Sequence, residues 1–265
     1  MPPTLILVRH AQALHNIDQR YYLHDPDLSE MGFGQLKGLR ESLMKHPVAQ
    51  NAGLIITSPM RRTIQTALGS VDWLISKGIK LEADADWQGA SSHILRLSGS
   101  AMSGALGTPP NIASSSTWSC QNSAKPCDTG TPAPALGKEF PVVDFATLDV
   151  VYPDKSTPAG AKYAYNKKAL LSRGQSALKK LYDRPEKVII VVSHSGFLRL
   201  CISGCWFFNS DYRIFDFEEH LQEDAPYKLK QSSETLENGG GLGLSFKHSV
   251  ELGSDLPEEN PSNTR

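Results

Sequence analysis

Solid apolar runs and stretches of helical spacing alternate along the chain. Leu5-Ile6-Leu7-Val8 is a short continuous apolar run that predicts a buried strand, and it ends abruptly in Arg9-His10. After a loop from Ala11 to Asp27, Ser29 is placed to cap a helix whose apolar positions Leu36, Leu39 and Leu43 keep helical spacing up to Pro47. Leu54-Ile55-Ile56-Thr57 predicts a second strand. Ser58-Pro59 then predicts a helix start, with Ile64, Ala67, Leu68, Val71 and Leu74-Ile75 on its inner face. A short strand is expected at Lys80-Leu81-Glu82 and a long helix from about Ala161 to Leu181, its last turn carrying Lys179-Lys180 where the helix dipole favours cations. Val188-Ile189-Ile190-Val191-Val192 repeats the opening pattern, a solid apolar run closed by Ser193-His194-Ser195-Gly196. A helix from about Gly196 to Cys205 and late strands at Arg213–Phe217 and Leu244–Phe246 complete the reading. This order predicts an α/β fold, a mostly parallel sheet covered by helices on both faces.

Two stretches interrupt the pattern. Gly89 to Gln121 is rich in Ser, Gly and Ala and keeps neither period, and Pro126 to Pro141 is punctuated by proline. The expected organisation is one domain over residues 1–250 with an insertion or cap at about 89–160. The polar residues 251–265 read as a disordered tail.

Composition narrows the function only slightly. At 265 residues and 40% hydrophobic content one α/β domain can bury a substantial core, and a net charge of -1 gives no global field toward nucleic acid or an anionic membrane. No apolar run approaches the ~20 residues that span a bilayer. Of the four cysteines, Cys201 and Cys205 could be half a metal site or a disulfide. With no second pair at zinc-like spacing, free thiols are the expectation, and no metal is assigned. Nothing like a secretory signal opens the chain, so a cytoplasmic location is expected, with the nucleus open.

The chemistry lies where the two solid runs end. Open α/β sheets bind ligands at the carboxyl ends of their strands, and here two strands far apart in sequence each deliver a histidine to that edge. Neutral imidazole is a competent nucleophile near pH 7, and a phosphohistidine divides one hard displacement into two easier ones. The charge on a transferring phosphoryl group needs fixed cations and donors around it. Arg9, the Arg61-Arg62 pair and His194 are placed to supply them, with Ser195 and its small neighbours leaving backbone N–H groups accessible.

These residues resemble the histidine phosphatase superfamily, in its phosphoglycerate mutase-like branch. The resemblance is carried by Leu7-Val8-Arg9-His10-Ala11-Gln12 with Asn16, by Asp27 to Gln35, by Ser58 to Ala67, and by Val192-Ser193-His194-Ser195-Gly196. It implies a three-layer sandwich, a phosphorylated His10, and Arg9, Arg62 and His194 as holders of the phosphoryl oxygens. Arg61 would then be a solvated neighbour, and Asn16 and Ser195 further phosphate contacts. It implies no cofactor, and a small phosphorylated metabolite as substrate. Oligomeric state is left open, and no direct nucleic-acid or membrane partner is expected. Ala11 and Gln12 depart from the Gly and Glu frequent in the family, which leans toward phosphatase over mutase.

The proton donor departs further. Where the family places an acid after the strand ending at Trp87, the chain reads Gln88-Gly89, and after the irregular stretch Cys120-Gln121-Asn122 resumes the pattern with an asparagine. Gly89 to Gln121 is either a substrate-capping insertion or aberrant, intron-like sequence. Asp86, Asp128 and Glu82 are the replacement acids, Asp128 standing in Cys127-Asp128-Thr129-Gly130. The leading expectation is a phosphatase working through phospho-His10. The alternative is a weakly active or non-catalytic relative that keeps the pocket for binding or complex assembly, as some relatives do.

Overall fold

A computed structural model describes residues 1–89, 125–219, 222 and 224–258. Seven strands form one sheet: β1 (Thr4–Arg9), β2 (Ala52–Thr57), β3 (Leu81–Ala83), β4 (Val188–Ser193), β5 (Asp211–Phe217), β6 (Leu229–Gln231) and β7 (Gly240–Gly241). Their order is β3-β2-β4-β1-β5-β6, with β7 also on β5. The first four run parallel; β5, β6 and β7 pair antiparallel, so the expected parallel sheet carries an antiparallel edge. In the β1–β4 ladder Arg9 lies opposite Ser193, and His10 N–H donates to the Ser193 carbonyl at 3.0 Å. That register brings the ends of both predicted runs side by side.

Six α-helical segments accompany the sheet: α1 (Glu30–Lys45), α2 (Arg61–Ser70), α3 (Asp72–Ile75), α4 (Ala133–Glu139), α5 (Lys167–Tyr182) and α6 (Ser195–Phe197), which runs into a π-helical turn over Leu198–Ser203. Alternate residues of β1 and β4 serve two cores. Ile6, Val8, Ile190 and Val192 pack with Leu39 and Leu43 of α1 and Ile64 and Ala67 of α2. Leu5, Leu7, Ile189 and Val191 pack with Leu170, Leu178 and Leu181 of α5 and with Phe197, Leu198 and Ile202. A solid apolar run is therefore the correct code for strands covered on both faces, and the layers are helix, sheet, helix.

Several boundaries differ from the sequence reading for identifiable reasons. α2 starts at Arg61, because Ser58 gives its carbonyl to Thr63 Oγ1 and its hydroxyl to His194 instead of capping the helix. The stretch expected to carry α2 through Ile75 breaks at Val71 into α3. α5 starts at Lys167 because Asn166 caps the Ala169 N–H at 2.8 Å, and Ala159–Tyr163 is a separate 3-10 turn. The expected Gly196 to Cys205 helix is one α turn followed by the π turn. Part of the expected tail is packed: Leu256 is buried, and Lys167 N–H donates to the Pro257 carbonyl at 2.8 Å. Cys127, Cys201 and Cys205 are free thiols. The Gly89 to Gln121 stretch lies, beyond Gly89, outside the described residues, as do Cys120 and Asn122.

Leu244–Phe246 is not a strand. The N–H groups of Gly243, Leu244 and Ser245 turn onto the buried Asp211 carboxylate at 2.6–2.9 Å, and Ser245 Oγ donates to it at 2.8 Å. Ser245 Oγ in turn accepts from Phe208 N–H, so this clasp anchors the segment that lies against Arg9. Asp211→Ala strips four donors of their acceptor at once. It is expected to lower unfolding free energy by about 2–4 kcal/mol in urea denaturation.

Candidate active site

The site is assembled at the carboxyl ends of β1 and β4, at the start of α2, and on a 3-10 turn over Pro126–Asp128. His10 is 3% exposed, and its Nδ1 lies 2.7 Å from the Ala11 carbonyl. A carbonyl can only accept, so Nδ1 carries the proton and Nε2 the lone pair. The His10 backbone is held as well, since its carbonyl accepts from Asn209 Nδ2 at 2.9 Å. The His194 ring stands 5.2 Å from His10, centroid to centroid, and its Nε2 shares a 2.9 Å hydrogen bond with Ser58 Oγ.

Two guanidiniums flank this pair. Arg9 Nη1 donates to the Phe207 carbonyl at 2.8 Å, and Ser195 Oγ donates to the same carbonyl at 3.4 Å. Arg62, 1% exposed, donates from Nη1 to the Cys127 carbonyl at 2.8 Å and from Nη2 to Asp128 Oδ1 at 3.2 Å. Burial, then the fields of Arg62, Arg9 and His15, push the His10 pKa well below its ordinary value. Burial, Arg62, His10 and Lys155 do the same to His194. Burial also draws Arg9 down, to about 10, against the opposing pull of Asp211, so it stays charged at neutral pH. The result is a neutral imidazole inside a cationic cradle, an arrangement with the charge to receive a dianionic group.

Among the three replacement acids, the one that pairs with Arg62 is Asp128. Asp86 pairs with Lys180 at 2.7 Å, and Glu82 pairs with Arg184 at 3.2 Å. Asp128 is 4% exposed. Gly89 lies against it: a Cβ at position 89 would come within 2.9 Å of Asp128 Oδ1 and 3.5 Å of both Arg62 Nη2 and His194 Cγ. The carboxylate of residue 128 thus reaches the space beside the histidines that a side chain on residue 89 would enter.

Other expected residues fall out differently. Arg61 turns away from Arg62 to pair with Glu139 at 2.6 Å. Asn16 serves its own loop, accepting from Ala13 N–H at 3.0 Å and donating to His15 Nε2 at 3.1 Å. His15 is buried beside the site, its ring 5.7 Å from that of His10. Gln12 accepts from Ser29 Oγ at 2.7 Å, and Gly32 of α1 packs so closely on the Gln12 carbonyl that any side chain there would collide with it. Tyr22 is exposed, while Lys125 Nζ sits 4.0 Å over the Tyr21 ring. Three residues carried no motif to reveal them: Asn209, Ser58 as the partner of His194, and Lys155. Lys155 Nζ donates to the Asp128 carbonyl at 2.7 Å and lies 3.4 Å from that of Gly89. Among the described residues no cluster suited to a metal ion is present, and no helix is long and apolar enough to cross a membrane.

Residues 5–88 match the family model of the histidine phosphatase superfamily, branch 1. Phosphoglycerate mutase-like protein 1 of Arabidopsis thaliana is 31% identical over 208 residues, 74% of this chain and 69% of that protein. The chain belongs to the histidine phosphatase superfamily. A second member from Arabidopsis thaliana, phosphoglycerate mutase-like protein, is 28% identical over 280 residues, 98% of this chain and 94% of that one. Among solved structures, phosphoglycerate mutase from Bacillus anthracis has a TM-score of 0.47 at 15% identity, covering 87% of this chain and 92% of that one.

The depressed imidazole pKa values have a measurable consequence. In an NMR titration His10 and His194 are expected to remain neutral well below pH 6.5, and Arg62→Gln should move both midpoints upward by removing a nearby positive charge. The linkage sign follows: below pH 6.5 the unfolded chain binds protons that the native histidines refuse, so stability falls as pH drops through that window.

Proposed function

We propose that this histidine phosphatase superfamily member is a phosphatase that hydrolyses a small phosphomonoester through phospho-His10, with Asp128 as proton donor to the leaving group. His10 Nε2 attacks phosphorus, the bond to the ester oxygen breaks, and the Asp128 carboxyl proton goes to that oxygen. Water then attacks the phosphohistidine, giving up a proton to the Asp128 carboxylate, and the N–P bond breaks to release inorganic phosphate. Arg9, Arg62 and His194 stabilise the phosphoryl oxygens, with Ser195 and Asn16 at the margin of the cradle.

The observation that carries this reading is the relation of Asp128 to Gly89. Where a side chain on Gly89 would enter the site, it would meet the Asp128 carboxylate, next to both Arg62 and His194. Asp128 pairs with Arg62 at 3.2 Å, and a phosphate dianion in the cradle would compete with the carboxylate for that guanidinium.

A second reading, a pocket retained for binding with little turnover, draws on one observation: both Arg62 Nη atoms are engaged by protein acceptors. Trapping separates the two. Mixed with an activated aryl phosphate and quenched in base, the wild type is expected to carry an acid-labile, base-stable phosphate on His10, visible by mass spectrometry, and His10→Ala none. Absence of the adduct together with absence of turnover on a phosphomonoester panel would overturn the phosphatase reading.

A further inference from the structure

We propose that Lys155 is a positioning residue for Asp128: its ammonium, bonded to the carbonyl of Asp128 and close to that of Gly89, keeps the Pro126–Asp128 turn against the histidines when a substrate phosphate takes Arg62. The inference rests on the reading of Asp128 as proton donor.

Arg62 and Lys155 both hold this turn. Arg62 grips it through the Cys127 carbonyl and the Asp128 carboxylate, and Lys155 through the Asp128 carbonyl. The first grip is lost in part on binding, because a phosphate in the cradle draws the Arg62 donors. The second is independent of the phosphoryl cradle, since Lys155 uses main-chain acceptors. It also spans the two partners whose closeness makes the site, for the same Nζ lies 3.4 Å from the Gly89 carbonyl. An apolar side chain at 155 would leave the Asp128 carbonyl without this donor.

The surroundings of Lys155 are costly to a cation. It faces Arg62 from α2, Arg173 from α5 and His194 from the end of β4, while Asp128 and Cys127 face it from the turn. Burial, then the two guanidiniums, draw its pKa down to about 7, against the pull of Asp128. Because the unfolded lysine keeps its ordinary, higher value, stability rises with pH across the window above about 7, and the ammonium is a burden below it. The clamp is also expected to weaken as the free enzyme passes pH 7, which places an alkaline limb in kcat/KM for esters that need the acid.

The test compares wild type, Lys155→Met, Lys155→Arg and Asp128→Asn on p-nitrophenyl phosphate, whose leaving group needs no proton, and on an alkyl phosphate, whose leaving group does. Asp128→Asn is expected to lose about 10²–10⁴ in kcat on the alkyl ester and little on the aryl ester. Lys155→Met should follow the same selectivity with roughly a ten- to hundredfold loss in kcat, an unchanged KM, and an unchanged or higher Tm at pH 6. Lys155→Arg, which keeps its charge, should retain alkyl turnover and carry its alkaline limb above that of wild type. Equal losses on both esters, a change confined to KM, or no change in Lys155→Met overturns the positioning role while leaving Asp128 in place. No alkyl turnover by the wild type, or no leaving-group selectivity in Asp128→Asn, overturns both. If Lys155→Met does not fold, Lys155→Gln gives the same comparison.

Discussion

Burying two imidazoles between two guanidiniums is the constraint on which the rest depends. In water a free imidazole is partly protonated near neutral pH, and the protonated fraction has no lone pair to offer. Desolvation and the field of Arg62 push the pKa of both downward, and Arg9 adds to the effect on His10. The hydrogen bond from His10 Nδ1 to the Ala11 carbonyl then leaves the lone pair on Nε2.

The fold exists to hold that arrangement against its own repulsion. Parallel pairing of β1 with β4 fixes the separation of the two histidines, and two apolar layers lock both strands from either face. The Asp211 clasp secures the Phe207–Asn209 segment, which accepts from Arg9 and supports the His10 backbone. Counter-charge is supplied sparingly: Asp211 tempers Arg9, and Asp128 pairs with Arg62.

The sheet and the meeting of its two histidines were legible in the sequence because solid apolar runs ending in Arg9-His10 and Ser193-His194 admit few other arrangements. Helix starts were less so: Ser58 has the chemistry of a cap but is taken by His194, a tertiary contact that local pattern cannot anticipate. Leu244–Phe246 looked like a strand for its apolar ends, yet its backbone donors are claimed by a carboxylate far away in the chain. Gly89 could be read as a missing acid; that Asp128 reaches the same space could not, because the contact depends on how residues 125–163 return to the sheet edge. Lys155 was invisible for the same reason, sitting in Pro153-Asp154-Lys155 with no motif around it.

In the proposed mechanism a carboxylate on residue 128 does the work of a side chain that Gly89 lacks. The most direct measurement is the dependence of kcat/KM on leaving-group pKa across a series running from nitrophenyl to alkyl phosphates, in wild type and in Asp128→Asn. A shallow slope in the wild type that steepens sharply in Asp128→Asn is the predicted result. Parallel slopes in the two proteins would contradict the account.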